Sequence, residues 1–167
     1  KIREVIATRG YEDWARVLES PANRGFAAGN NFGIRAIEAD AYLLLNSDTI
    51  VRPGALAALR RASVTYRDAG LVVPRTEGLD GRPDRNAFVM PRPISELLRG
   101  ARLGALSHVL HRFDVEADLP ESSSLEPDWV GFCAVVVPRA TLERVGLLDE
   151  QYFMYYEDID YCIRVRE

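Results

Sequence analysis

The chain predicts an α/β fold in which a mostly parallel sheet is flanked by helices, and three observations carry that expectation. The run Tyr42-Leu43-Leu44-Leu45 shows no apolar–polar alternation, as a strand covered on both faces should. Helical periodicity on either side of it gives a β-α-β-α-β rhythm, which implies a mostly parallel sheet. A chain of 167 residues with 47% apolar content can bury one substantial core.

The elements follow in order. Ile2, Val5 and Ile6 recur at helical spacing and Gly10 follows as a stop, so residues 1–9 read as the rear of an amphipathic helix. Ala15 to Glu19 reads as a short strand. Ser20-Pro21-Ala22-Asn23 is turn chemistry, and Phe26, Ile34 and Ile37 among alanines predict a helix from Phe26 to Ala39 that leads into the strand Ala41 to Leu45. Pro53 suits the first turn of the next helix, in which Leu56, Leu59, Ser63 and Tyr66 make one stripe, and Gly70 closes it before Leu71-Val72-Val73. Residues 75–128 break the rhythm with Gly, Pro and Arg, leaving one amphipathic helix around Ile94 to Leu98 and a turn at Ser122-Ser123-Ser124. A segment that long without regular structure is usually functional or disordered. Trp129 to Val137 reads as one buried strand, Pro138 to Val145 as a helix capped by Gly146, and Ile159, Cys162 and Ile163 as the inward face of the last helix.

Composition narrows the function classes. With 21 Lys and Arg against 25 Asp and Glu, the net charge of −4 argues against nucleic-acid binding, which needs a basic surface to displace counterions. A phosphate-bearing small ligand would need local Arg or metal. Cys133 and Cys162 have no partners at metal-ligand spacing and read as reduced core thiols. The longest apolar run, Val130 to Val137, falls far short of the roughly 20 residues that span a bilayer, and no signal peptide is visible, so a cytoplasmic location is expected.

Three segments carry candidate chemistry. Glu157, Asp158 and Asp160 lie beside Phe153, Tyr155 and Tyr156 at the mouth of the last helix. A carboxylate within reach of a hydroxyl acts as a base, while acids in a first turn also favour the helix dipole and Asp is a good N-cap. Asp48 follows the apolar strand, where open α/β sheets bind ligands, and its oxygens suit Mg²⁺ or Mn²⁺. Asn46-Ser47-Asp48-Thr49 is equally good turn chemistry. Asn23-Arg24-Gly25 and Gly29-Asn30-Asn31-Phe32-Gly33 would let backbone approach a nucleotide, with Arg24 available to a diphosphate; the alternative is a tight turn with close helix packing. His108 and His111 lie at helical spacing with no acid beside them and read as solvated.

Together, Asn23-Arg24-Gly25-Phe26-Ala27-Ala28-Gly29-Asn30-Asn31, Leu43-Leu44-Leu45-Asn46-Ser47-Asp48 and the segment from Met154 to Arg164 resemble glycosyltransferase family 2, in the branch that includes rhamnosyl- and galactofuranosyl-transferases. The resemblance spans nearly the whole chain. It implies a GT-A-like, Rossmann-like sheet divided into a nucleotide-sugar-binding part (1–74), a variable segment (75–128) and an acceptor and catalytic-base part (129–167). The implied activity is inverting, metal-dependent transfer of a sugar such as rhamnose from a dTDP- or UDP-linked donor to a cell-surface glycan or lipid-linked acceptor, at the inner face of the plasma membrane.

The same resemblance implies Asp158 as catalytic base, Glu157 as the group that orients acceptor or base, and Asp160 as structural. Asp48 would hold Mg²⁺ or Mn²⁺ where the family carries an Asp-X-Asp-like signature; here Asn46 replaces the first acid and Ser47 a Pro. Asn23, Arg24, Gly25, Gly29, Asn30, Gly33 and Asn46 would contact the nucleotide sugar. Trp129, Gly131 and Tyr156 would lie on the acceptor side, with Phe132 and Cys133 where relatives have a small residue after the Gly. Relatives begin with a strand and an acidic loop ahead of the counterpart of Lys1-Ile2-Arg3-Glu4, so a fragment truncated at both ends is expected. It would lack the first strand, leave open edges beside Ala15 to Glu19 and Ala41 to Leu45, and stop before a metal-site His.

Arg75, Arg82, Arg85, Arg92, Arg99 and Arg102, threaded with Leu97, Leu98 and Leu103, would suit an anionic lipid-linked acceptor or a membrane surface, or else make a solvated basic face. Two other classes remain open: a non-catalytic sugar-nucleotide-binding or scaffold module, motivated by the single acid at Asp48, and a nucleotidyltransferase, whose Gly- and Arg-rich phosphate loop is not visible.

Overall fold

A computed structural model describes residues 1–84, 86–88, 90 and 126–167. Its helices are α1 (Ile2–Arg9), α2 (Phe26–Arg35), α3 (Ala55–Thr65), α4 (Arg139–Val145) and α5 (Glu157–Arg166). Its strands are β1 (Ala41–Leu45), β2 (Thr76–Glu77), β3 (Pro83–Asp84), β4 (Ala87–Phe88), β5 (Trp129–Val130) and β6 (Ala134–Pro138). The expected helix around Ile94, the Ser122 turn, the histidines, and Arg85, Arg92, Arg99 and Arg102 with their leucines lie outside the described residues. Of the remaining arginines, Arg75 is exposed and Arg82 pairs with Asp80.

The described sheet pairs are antiparallel, which corrects the expectation of a parallel sheet. β1 pairs with β6 in the register Leu43↔Val136 and Leu44↔Val135. Val136 exchanges both of its backbone hydrogen bonds with Val72, at 2.8 and 3.0 Å, so Val72 lies along the edge of β6 opposite β1. β1 and the segment at Val72 therefore run in the same direction, as the strand-helix-strand rhythm around α3 required, but β6 stands between them running the other way. Rhythm along the chain gives the sense of successive strands, and a later strand inserted from 89 residues beyond Leu45 is invisible to it.

β6 is the centre of the core. Val135 and Val137 are fully buried on the face shared with Leu44, Ile34, Ala27, Phe132, Leu148 and Tyr161, and Ala134 and Val136 are buried on the other. β1 is buried on one face only: Leu43 is 36% and Leu45 41% exposed. It has no ladder partner on its other edge among the described residues.

Four local expectations change. Ala15 to Glu19 lies in no sheet. The run Trp129 to Val137 is two strands in different sheets, separated by a turn at Gly131-Phe132-Cys133, because β5 pairs with β4 and β6 with β1. In α3 only Leu59 of the proposed stripe is buried, and Gly70 is a contact point rather than a helix stop: a Cβ there would lie 2.3 Å from Val165 Cγ1 of α5. The buried residues of α5 are Glu157, Tyr161 and Cys162, with Ile163 turned outward.

α1 ends as expected, with Gly10 at φ 66° and its N–H returned to Ala7. Among the described residues no helix is long and apolar enough to cross a membrane.

Candidate active site

Local chemistry builds the first turn of α5 without a side-chain cap. The N-cap position falls on Tyr156 in the left-handed region, and Glu157 and Asp158 occupy the first two helical positions. Capping therefore does not account for these acids, although their charge still suits the helix dipole. Asp158 Oδ1 accepts the Ile159 N–H at 2.9 Å. Burial pushes its carboxyl above the ordinary range. Glu157 is 6% exposed, its Oε2 has no hydrogen-bond partner among the described residues, and burial together with the Asp158 charge raises its pKa as well. An unsatisfied buried carboxylate oxygen is costly and uncommon, so this one calls for an explanation beyond packing.

Asp160 is engaged within the protein. It binds Arg164 at 2.7 Å, and Arg164 spreads over the Tyr161 ring while donating to Val145 O and Leu147 O, both at 3.2 Å. Tyr161 reaches Gly146 O at 2.9 Å, with its hydroxyl pushed up to about 12 by burial. These contacts fix α5 against the end of α4.

α5 packs on β5, where Cys162 lies against Val130 O and its thiol is pushed up to about 11 by burial. Trp129 in β5 stacks on Phe88 with ring centroids 4.1 Å apart, and its buried Nε1 donor has no partner among the described residues. Thus a donor and an acceptor, each buried and unsatisfied, sit on two elements packed together. Gly131 gives its N–H to Asn86 O.

The ladder then leads to Asp48. Asn46 N–H donates to Cys133 O at 2.9 Å, and Thr49 closes the turn onto Asn46 O through both its N–H and its hydroxyl. The turn is real, but its bonds come from Thr49. Asp48 is exposed and has no protein partner among the described residues, so turn formation does not explain its carboxylate. No group of three metal-ligating side chains occurs among the described residues. A divalent ion such as Mg²⁺ takes about six oxygens, so Asp48 alone does not make a metal site.

The Gly-rich block is tied to the loop ahead of α5. Gly25, at φ 94°, leaves room for the backbone of Phe153: an added Cβ would lie 1.9 Å from Phe153 O, which accepts the Phe26 N–H at 2.9 Å. The close approach that Gly25 permits is thus to the protein's own chain. Gly29 and Gly33 face open space. Asn23 Oδ1 accepts the Gly25 N–H, Asn30 bonds Phe26 O, and Arg24 is paired with Glu150 at 3.3 Å. Two residues outside the expected set matter here. Asn31 is fully buried and holds Leu148 and Glu150, and Glu150 is kept ionised below its ordinary range by Asn31 and Arg35. The available signal for Asn31 was a polar residue at a core position of the helix, in the stripe Ala27, Asn31, Ile34.

Contacts therefore link α2 through the 147–156 loop to α5 and β5, while Asp48 is tied in only through its turn, where Asn46, two residues before it, donates to Cys133 O. Comparison with known proteins bears on their chemistry. The chain is 27% identical over 156 residues to a hexosyltransferase of low-salt glycan biosynthesis from Haloferax volcanii, covering 89% of this chain and 45% of that protein. It is 29% identical over 161 residues to the N-acetylglucosaminyl-diphospho-decaprenol L-rhamnosyltransferase of two Mycobacterium tuberculosis strains, covering 87% of this chain and 51% of each. These relatives are glycosyltransferases. The chain spans about half the length of the curated relatives it matches. No family model matches it, and no solved structure matches it significantly.

Proposed function

We propose that the chain carries part of the catalytic domain of an inverting glycosyltransferase of family 2, which moves a sugar such as rhamnose from a nucleoside-diphosphate donor to a glycan or lipid-linked acceptor. The observation that carries the reading is the pair Glu157 and Asp158: two adjacent acids in a helix's first turn, both with raised pKa, one with a buried oxygen that none of the described residues satisfies. Similarity to hexosyl- and rhamnosyltransferases supports the same reaction class.

In this reading Asp158 takes the proton of the acceptor hydroxyl. The acceptor oxygen attacks the anomeric carbon, the bond from that carbon to the diphosphate oxygen breaks, and the nucleoside diphosphate leaves with the electron pair. A raised pKa brings a carboxylate closer to the proton affinity that the transfer needs. Glu157 orients the acceptor or the base, and Trp129 and Tyr156 offer aromatic surface on the acceptor side. Asn23, Arg24, Gly25, Gly29, Asn30, Gly33 and Asn46 form the donor side. Mg²⁺ or Mn²⁺, bound jointly by Asp48, the donor's diphosphate and water, would offset the leaving group's charge. The site works at the cytoplasmic face of a membrane when its acceptor is lipid-linked.

The test is transfer of labelled sugar from a panel of dTDP and UDP sugars, by the full reading frame that contains this chain, with Asp158→Asn as control. Loss of roughly 100-fold or more in kcat in the variant, with donor binding retained, is expected of a missing base. Equal turnover by the variant would remove Asp158 from that role, and a folded protein that transfers no sugar would favour a binding or scaffold module.

A further inference from the structure

The segment ahead of α5 is anchored to α2 by bonds that packing alone does not require. Asn31 is 0% exposed, and its amide is spent on residues 117 and 119 positions away. Its Nδ2 donates to Leu148 O at 2.8 Å and to Glu150 Oε1 at 3.1 Å, and its Oδ1 accepts the Leu148 N–H at 3.1 Å. Glu150, fixed in this way, also holds Arg35 at 2.9 Å and Arg24 at 3.3 Å. Three residues on, Phe153 O accepts the Phe26 N–H in the space that Gly25 leaves.

The chain then enters two consecutive left-handed residues, Tyr155 at φ 69° and Tyr156 at φ 71°. This conformation costs a non-glycine residue about 1–2 kcal/mol and persists where the surroundings over-determine it. The two tyrosines are 72% and 66% exposed, so their own packing does not hold them there. The anchors do so instead, with Asn31, Glu150 and Phe26 on one side and the Tyr161 and Arg164 contacts of α5 on the other.

We infer that Asn31, acting with Glu150, is a positioning residue for Glu157 and Asp158: it clamps the 147–156 segment onto α2, forces the double-tyrosine turn, and so delivers the first turn of α5 next to the donor block. The inference rests on the proposed role of Asp158 as base. It also assigns Arg24 a resting place, because the exposed Arg24 side chain gains little from its ion pair with the half-buried Glu150 and is readily exchanged onto a diphosphate.

The test uses the complete chain, with Asn31→Ala, Glu150→Ala and Glu150→Gln as variants. The titration of the Asp158 carboxyl carbon is followed by NMR, and kcat and donor KM are measured beside it. With the clamp open, Asp158 should titrate closer to an ordinary aspartate, and kcat should fall roughly 10–100-fold with a smaller change in KM, the size of a small misplacement of a reacting group. Glu150→Gln keeps an acceptor for Asn31 and should restore both readouts. Should Asn31→Ala not fold, Glu150→Ala carries the test. A folded Glu150→Ala protein with wild-type Asp158 titration and wild-type kcat would overturn the clamp, even with lowered stability. A shifted titration in a protein that transfers no sugar would support the clamp and reject the base assignment.

Discussion

Gly25→Ala and Gly29→Ala, two identical substitutions four residues apart, should act in opposite directions. At Gly25 the new Cβ meets Phe153 O at 1.9 Å and must adopt φ 94°. The conformation costs about 1–3 kcal/mol, and relief of the clash breaks the bond from Phe26 to Phe153, worth roughly 0.5–1.5 kcal/mol net. The sum is about 1.5–4.5 kcal/mol, or roughly 3–18 °C in Tm for a chain of this size. At Gly29, inside α2 and facing open space, alanine should stabilise by about 0.5–1 kcal/mol through the lower backbone entropy of the unfolded chain. Urea or thermal unfolding of the two variants beside wild type reads both values. A Gly25→Ala protein as stable as wild type would mean that the 147–156 segment does not pack on the start of α2, and the link between the donor block and α5 would fall. If Gly29→Ala stabilises the fold yet weakens donor binding, the glycine is kept for the ligand.

Three further outcomes are expected. Glu157 and Asp158 have raised pKa values in the folded chain, so the folded state keeps protons that the unfolded state loses. The stability these two groups contribute should fall as pH rises from the ordinary carboxylate range through their raised values, against the opposite contribution of Glu150, so Glu157→Gln should lose less stability, or gain more, than wild type between pH 4 and 7 in urea titrations. Arg164→Ala should cost about 2–4 kcal/mol, because it strands Asp160 and two carbonyls at the α4–α5 junction, while leaving donor affinity within twofold. In the native protein Cys162, buried with its thiol pushed up to about 11, should resist a disulfide reagent that reaches the half-buried Cys133 first; equal rates would contradict the packing of α5 on β5.

Much of the local structure was legible because it follows from periodicity and stop signals. α1 with Gly10, α2, β1 and α4 with Gly146 lie close to where apolar spacing and glycine put them, and α3 starts close to Pro53 but ends before Gly70. What spacing does not encode is which strand ends up beside which. The apolar run after Trp129 looks continuous, yet β5 and β6 belong to different sheets, and Gly131 was its one local hint. Likewise, the uninterrupted apolar run of β1 suggested burial on both faces, but Leu43 and Leu45 are partly exposed, since an edge strand is covered only where a partner covers it.

At the site, acids and glycines stood out as residue types, and their partners did not. The residue types at Asn46-Ser47-Asp48-Thr49 suit a turn as well as an ion, and only the folded backbone decides that Thr49 rather than Asp48 closes the turn. Gly25 was read as space for a nucleotide, and its neighbour is Phe153 from the far end of the chain. Asn31 and Glu150 are ordinary in their local contexts; only the fold brings them together across 119 residues.

The most direct test of the central claim is calorimetric titration of dTDP and UDP sugars, with and without Mn²⁺, into the folded protein in its full reading frame and into its Asp48→Ala variant. The account expects one nucleotide sugar to bind in a metal-dependent manner, and that binding to be lost in the variant. A folded protein that binds none of them, or a variant that binds as well as wild type with the same metal dependence, would contradict it.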